Sequence, residues 1–438
     1  MARSICIVGT GYVGMASMIG LAELGWEVNG YDIITDRINK LRIGVAPYRE
    51  AGIESALKKN IENGRLAFFD SLEEAARDAE LVIVAVGTPA RPDGSADLSA
   101  LFSVVDALSK IQLTTWPTIC IRSTVAPGTS DELADMVDGW GDVIYAPEFL
   151  REGSAVSDFL NPDRIVVGSE TTAAAIAYVK LFESLQKPVL FTTRCNAELI
   201  KCCSNAFLAL KISFANEVAN LCEAVGGSSD DVLRGIGYDK RIGSDFLRPG
   251  IGFGGPCFEK DVKSINHIAG KHGVGRELFS ATLRVNESQP LRVIELLEEE
   301  IGTLANTTIG VWGLAFKAGT DDVRDSLAMR VLDELHARGA KILAYDPVVR
   351  VAPLPPGSRL VLSAHEAACA DALLVLTDWP EFGAIPPRSY AHSIERRLVV
   401  DGRNILDADR VTSAGLRYRG IGRATAQPGR TQAAISVG

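Results

Sequence analysis

"ICIVGTGYVGMASMIGLAELGWEVNGYD" spans residues 5–32, and its reading decides the fold. The opening apolar run, Ile5 to Val8, does not alternate with polar residues, which predicts a strand buried on both faces of a parallel sheet. Gly9, Gly11 and Gly14 follow in G-x-G-x-x-G spacing. "YVGMASMIGLAELG" then has helical spacing and stops at Gly25, and "WEVNGYD" reads as a second strand ending at Asp32. A strand, a glycine turn, a helix and a strand closed by an acid form the dinucleotide fingerprint. Gly9 permits the tight turn, Gly11 lets the backbone approach a pyrophosphate, and Gly14 lets helix and strand pack closely. Tyr12 and Val13, inside the turn, belong to the same expected cofactor site. Asp32 would accept hydrogen bonds from a ribose 2′-hydroxyl and repel a 2′-phosphate, so NAD is expected over NADP. Arg37 weakens that preference without reversing it.

The strand-then-loop form recurs outward from this unit. "AELVIVAVGTP" (79–89) and "PTICIRSTV" (117–125) repeat it with helical segments between, which predicts a doubly wound parallel α/β sheet. From about Ala197, "AELIKCCSNAFLALKISFANEVANLCEAVG" keeps helical periodicity without proline and ends at Gly226-Gly227. So long a helix is expected to join two domains and to pair with a second copy of the chain. After Thr308 the α/β pattern returns in "TIGVWG", "DSLAMRVLDELHARG" and "KILAYD", which ends at Asp346, and then in "DALLVLTDW" and "RLVVDGRN". The expected organisation is an N-terminal NAD-binding Rossmann domain (1–195), a central helical dimerisation region (196–300), a second Rossmann-like domain (301–424) and a flexible tail (425–438).

Composition excludes other classes. The chain of 438 residues carries 45 Lys and Arg against 55 Asp and Glu, a net charge of −10, and no basic arm for nucleic acid. Its eight cysteines are scattered without a CxxC pair, so neither a disulfide framework nor a zinc site is expected. "MARSICIVGTG" turns directly into strand and glycine loop, which reads as no signal peptide, and apolar runs such as "LVIVAV" are too short for a bilayer. A reducing cytoplasm is the expected compartment.

Four further constellations have chemistry to offer. Thr88 in "VGTP" and Ser123 and Thr124 in "RSTVAPGT" follow strand ends, where ligands of such sheets sit; ordinary turn chemistry explains them equally well. In "APEFLREGSA" Glu148 and Glu152 flank Arg151, as a base near a cofactor or as a solvated loop. Lys201 and Asn205 share a helix face one turn apart and can stabilise an oxyanion; a lysine reaching out to solvent is the alternative. "RPGIGFGG" has glycines at 250, 252, 254 and 255 and leads to Cys257, with Lys260 and Asp261 close behind. A cation and loop amides would lower the thiol pKa and make a nucleophile, while a small apolar cysteine in a turn is the other reading.

Taken in order, "GTGYVG", "STVAPGT", "PEFLREGSA", "AELIKCCSNAFLALKISFANE", "GFGGPCFEKD", "GLAFKAGTDDVRDS" and "VDGRN" resemble the UDP-glucose/GDP-mannose dehydrogenase family up to about residue 420. "NAFLALKISFANE" fits its UDP-glucose branch better than its GDP-mannose branch. The resemblance implies a four-electron oxidation of C6 of UDP-glucose to UDP-glucuronate with two NAD turnovers. Cys257 would form a thiohemiacetal and then a thioester. Asp261 and Lys201 would hold the water that serves as base. Lys201 and Asn205 would stabilise oxyanions, and Thr124 and Glu148 would assist hydrolysis. Glu152, Lys260 and Arg324 would touch the cofactor beside Asp32 and Arg37. Substrate contacts would come from Glu148, Phe149, Leu150, Arg151 and Glu152, from Phe246, Leu247, Arg248, Gly250 and Gly254, and from Phe316, Lys317 and Arg403. Arg241 would reach the substrate across a dimer interface. The family's loop usually reads "GGSCFPKD", so Pro256 and Glu259 are departures that predict an altered nucleophile. Rival expectations are the same chemistry on dTDP-glucose, UDP-N-acetyl-mannosamine or GDP-mannose, a two-electron hydroxyacid-type dehydrogenase, and a silent sugar-nucleotide binder.

Overall fold

The run from Ile5 to Val8 lies in the middle of an eight-stranded sheet. In a computed structural model, which describes residues 4–423, the strands are β1 (Ser4–Val8), β2 (Val28–Tyr31), β3 (Leu66–Phe69), β4 (Ala79–Val84), β5 (Thr118–Ile121), β6 (Asp142–Tyr145), β7 (Ile165–Ser169) and β8 (Val189–Thr192). Their order is β3-β2-β1-β4-β5-β6-β7-β8. Ile5 and Ile7 pack with Met15, Met18 and Leu21 on one face, and Cys6 and Val8 pack with Leu101, Val105 and Leu133 on the other. Both faces are covered, which is why the strand shows no polar alternation. The order reverses between β1 and β4, where open α/β sheets form their ligand crevice.

The expectation of a parallel sheet holds for β1 to β6 and fails at the far edge. There β7 runs antiparallel to β6, with Tyr145 opposite Gly168 and Ile144 opposite Ser169. After β6 the chain turns back through residues 146–154 and the short helix Ala155–Leu160, and it re-enters the sheet from the end at which it left.

The second sheet holds β9 (Thr308–Trp312), β10 (Lys341–Tyr345), β11 (Arg359–Leu360), β12 (Ala372–Val375), β13 (Leu398–Asp401) and β14 (Arg417–Gly420). Its order is β11-β10-β9-β12-β13-β14, with every neighbouring pair parallel. Two parallel-sheet α/β domains and a long central helix are thus present, as the sequence predicts. That helix runs Arg194–Val225 and ends at Gly226, whose φ of +76° suits a glycine that closes a helix.

Contacts divide the chain into two compact units, one of Met1–Ala206 with Lys260–Arg276 and one of Phe207–Glu259 with Glu277–Gly438. The residues expected as a separate central region, 196–300, are shared between them. The tail expected from residue 425 lies outside the described residues. Among those residues no helix is long and apolar enough to cross a membrane.

Candidate active site

In the first unit the glycine turn is fixed by sterics. Gly9 has a φ of +95°, and a Cβ there would stand 2.6 Å from the Ala85 carbonyl oxygen. A Cβ at Gly14 would stand 1.8 Å from the Gly9 oxygen, whereas one at Gly11 would meet nothing within 4 Å. The chain itself requires the first and third glycines, and the second leaves backbone open for a ligand. The helix Tyr12–Glu23 starts at once, with Gly11 as its N-cap and no side-chain cap, so its first amides suit a pyrophosphate.

Asp32 sits at the end of β2 and is nearly buried. Thr10 N–H, Thr10 Oγ1 and Arg37 Nη1 each donate to its Oδ2 at 2.8 Å, and Ile34 N–H donates to Oδ1 at 3.0 Å. Burial opposes the charge, but these donors outweigh it and hold the carboxyl below its usual range. Arg37 is therefore tied to Asp32, which reduces its capacity to welcome a 2′-phosphate. Sequence reasoning missed Tyr48 and Glu50. Tyr12 Oη donates to Glu50 Oε2 at 2.6 Å and to the Arg151 carbonyl at 3.1 Å, and the Tyr12 and Tyr48 rings lie 4.4 Å apart. The 148–152 loop is thereby pinned beside the glycine turn.

The second cluster is arranged by one face of the long helix. Lys201 is 5% exposed and its Nζ donates to Glu148 Oε1 at 2.9 Å, so the solvent-reaching alternative does not hold. Leu150 N–H donates to Glu148 Oε2 at 2.6 Å. Burial works against the Glu148 charge, yet attraction to Lys201, the hydrogen bonds and Arg122 together keep its carboxyl below the usual range. Phe149 lines the same place, with Lys201 Nζ 5.6 Å from its ring centre and the Arg164 guanidinium 3.7 Å. One turn along the helix, Asn205 Nδ2 donates to Asp261 Oδ2 at 2.6 Å. Lys260 Nζ lies 3.1 Å from Asp261 Oδ1 and 3.5 Å from Thr88 Oγ1, and Thr88 Oγ1 donates to the Thr124 carbonyl at 2.8 Å. Glu148 with Lys201, and Asn205 with Asp261, Lys260, Thr88 and Thr124, thus form two contact groups within the first unit, set one helical turn apart along the long helix.

In the second unit the cysteine loop is built on its glycines. Gly252 and Gly255 have φ of +104° and +87°, and a Cβ at Gly255 would lie 2.6 Å from the Phe316 ring. A Cβ at Gly254 would lie 2.7 Å from the Asp325 carbonyl oxygen. Three buried amides that the sequence did not single out hold this loop. Asn216 Oδ1 accepts from Gly250 N–H at 2.8 Å, Gln289 Nε2 donates to the Gly250 carbonyl at 3.0 Å, and Asn286 Oδ1 accepts from Phe253 N–H at 2.7 Å. Arg403 Nη1 donates to the Gly252 carbonyl at 3.0 Å and its Nε to Leu376 O at 2.8 Å, so this arginine braces the loop.

The loop leads to Cys257, which is exposed. Burial pushes the thiols of Cys6, Cys120 and Cys202 up to about 12, which makes them inert at neutral pH. The neighbouring segment holds Phe246 in a left-handed conformation (φ +63°), and it buries Leu247 but exposes Arg248. Arg241 pairs with Asp239 at 2.6 Å, Arg324 pairs with Asp322 at 2.5 Å, and Lys317 Nζ lies 5.6 Å from the Phe316 ring centre. Asp346, which ends β10 as Asp32 ends β2, is 1% exposed and accepts from Leu314 and Ala315 N–H, Val348 and Val349 N–H and Trp379 Nε1. Five donors of the chain itself thus hold Asp346. Among the described residues no His, Cys, Asp and Glu group is placed to hold a metal ion.

Residues 3–186 match the NAD binding domain of the UDP-glucose/GDP-mannose dehydrogenase family, residues 195–288 its central domain and residues 310–408 its UDP binding domain. The chain belongs to this family. A Bacillus subtilis UDP-glucose 6-dehydrogenase is 38% identical over 437 residues, covering 97% of this chain and 99% of the relative. A UDP-glucose 6-dehydrogenase from Pseudomonas aeruginosa is 39% identical, covering 96% and 97%. Among solved structures, a UDP-glucose dehydrogenase from Pyrobaculum islandicum aligns with a TM-score of 0.89 at 37% identity, covering 97% of this chain and 98% of that one. A UDP-D-ManNAc dehydrogenase from Pyrococcus horikoshii aligns at 0.86 and 29% identity, covering 97% and 100%. This member of the UDP-glucose/GDP-mannose dehydrogenase family is an NAD-dependent oxidoreductase, and its glycine turn and Asp32 fit that cofactor.

Proposed function

We propose that the protein oxidises C6 of UDP-glucose to the carboxylate of UDP-glucuronate, with Cys257 carrying the intermediate. The observation that carries this reading is an exposed cysteine at the end of a loop held by three buried amides and an arginine. NAD would supply the acceptor, two molecules in succession taking one hydride each. Gly9, Gly11, Tyr12, Val13, Gly14, Asp32, Arg37, Thr88, Thr124, Glu152, Lys260 and Arg324 are the residues we assign to it.

Asp261 and Lys201 orient a water that takes the C6 hydroxyl proton as the aldehyde forms. The Cys257 thiolate then adds to the aldehyde carbon. A C–S bond forms, and the former carbonyl oxygen takes the charge that Lys201 and Asn205 stabilise. That oxyanion collapses as the second hydride leaves, which gives the neutral thioester. Water adds to that carbon with help from Thr124 and Glu148, the C–S bond breaks, and the thiolate leaves with the carboxylate as product. A thiolate suits this sequence because it is both a good nucleophile and a good leaving group. An aldehyde that was not held covalently would escape before the second oxidation.

The loop 148–152, residues 246–250, Gly254, Phe316, Lys317 and Arg403 are assigned to the sugar nucleotide, and Arg241 is assigned to the site of a second copy. A homodimer through the long helix is part of the same reading. It is supported by Phe207, Phe214, Leu221 and Val225, which stand exposed at near-heptad spacing. A reducing cytoplasm is the expected setting. The likeness to a UDP-D-ManNAc dehydrogenase favours one alternative, the same chemistry on an N-acetylated sugar nucleotide.

The test is to count NADH per sugar with UDP-glucose and then with UDP-N-acetyl-mannosamine, dTDP-glucose and GDP-mannose. Two NADH per UDP-glucose are expected, with Cys257→Ala arrested before the acid. Two NADH from another sugar nucleotide alone would reassign the substrate. A single NADH per sugar would replace the covalent route with a two-electron dehydrogenase.

A further inference from the structure

Glu198 is fully buried on the face of the long helix that carries Lys201 and Asn205, three and seven residues before them, and it serves no step above. Its Oε2 accepts from Gly128 N–H at 2.6 Å and its Oε1 from Ser130 N–H at 2.8 Å. These amides belong to the N-cap and the second residue of the helix Thr129–Val137, whose own N-cap makes no side-chain bond. The Thr129 hydroxyl instead donates back to the Ala126 carbonyl at 2.7 Å. Two more ties hold the segment that leads into that helix, one from Thr88 Oγ1 to the Thr124 carbonyl and one from Cys202 Sγ to the Val125 carbonyl at 3.6 Å.

A local Ser, Thr or Asp would satisfy these amides more cheaply than a buried glutamate. Burial pushes the Glu198 carboxyl above its usual range, so the charge is held there against a real cost. What the distant carboxylate adds is position. Glu198 ties the segment around Thr124 to the helix that also holds Glu148 through Lys201 and Asp261 through Asn205. A shift of that segment along the long helix would break both bonds at once.

We propose that Glu198 is a positioning residue for the hydrolytic half of the reaction, keeping Thr124 in register with Glu148 so that water reaches the thioester. This rests on the thioester reading above. The step itself is unchanged: water adds at the thioester carbon, the C–S bond breaks, and Cys257 departs as thiolate.

The experiment compares the native enzyme with Glu198→Gln and Ser130→Pro in rapid mixing with NAD and UDP-glucose, followed by acid quench and intact-mass measurement. Glutamine keeps one acceptor but turns an N–H toward a backbone N–H. Proline removes the Ser130 donor in the first helical turn, where it is tolerated, and leaves the carboxylate in place. Both variants are expected to release an initial burst of two NADH at near-native rate. Steady turnover should then fall by roughly 10- to 100-fold, the scale of an ångström misplacement, with little change in KM. A sugar adduct on Cys257 should accumulate. Native-like turnover without adduct in both variants, or equal loss of burst and turnover in both, would overturn the role of Glu198 alone. Fewer than two NADH from the native enzyme would overturn the thioester reading and this inference with it.

Discussion

Lys201 and Glu148 form a buried ion pair whose members were read separately in the sequence, one as an oxyanion stabiliser and the other as a loop carboxylate. Removing Lys201 leaves Glu148 buried without its ion-pair partner, with only the Leu150 N–H and the attraction of Arg122 to support its charge, so Lys201→Met is expected to destabilise the fold by about 3–5 kcal/mol at neutral pH. Urea unfolding measures this. The sign with pH follows from the depressed Glu148 carboxyl: its contribution is present above the usual carboxylate range and is lost as pH falls through the folded value. The gap between native and variant should therefore narrow in acid, and a gap that widened would refute the pairing. The same substitution should move the acid limb of the kcat profile to higher pH, since Glu148 would lose the charge that keeps it ionised. At this scale the sequence exposed the residue types but not their partners. Lys201 lies fifty-three residues from Glu148, Glu198 seventy from Gly128, and Glu50 a hundred and six from Val156, with no local pattern linking them.

Among elements, the long helix acts as a ruler. Glu198, Lys201, Cys202 and Asn205 lie on one face; Glu198 and Cys202 hold the segment 125–130, Lys201 holds Glu148 and Asn205 holds Asp261. Farther along, Asn216 anchors Gly250, and Phe207, Phe214, Leu221 and Val225 stand out at 62%, 47%, 61% and 72% exposure. The proposed long-helix dimer would cover this stripe. Phe214→Glu is expected to turn a dimer into a monomer in analytical ultracentrifugation, and identical sedimentation of variant and native chain would refute the long-helix interface. The helix was legible because thirty-odd residues without proline leave few alternatives. The antiparallel return of β7 was not, because strand direction depends on where the intervening loop is pinned and not on the composition of the strand.

For the whole molecule, the balance of perturbed carboxyls sets the acid limit. Asp32, Glu148, Asp158 and Glu299 are all held below their usual range by hydrogen bonds and cations that outweigh burial. Their contributions are complete above pH ~4–5 and are lost as pH falls further. Glu198 and Asp401 are raised by burial, and their contributions run the other way, fading as pH rises through their folded values. The lowered group outnumbers the raised one, so the melting temperature should fall as pH drops from about 5 toward 3. A melting temperature that rose over that window would mean that the buried Glu198 and Asp401 dominate.

The sequence by itself determined the two parallel α/β cores, though not the antiparallel edge of the first, together with the glycine turn with its acid, the long helix and the order of the family motifs. All of these rest on spacing within a few residues, where periodicity and backbone sterics act directly. Only the tertiary structure decided that Asp32 holds Arg37, that Asp346 is held by donors of its own chain, that Asn216, Asn286 and Gln289 carry the cysteine loop, and that Glu198 clamps the segment around Thr124. The physical reason is that a buried polar group must find its partner in space. In this chain those partners come from elements that lie far apart in sequence.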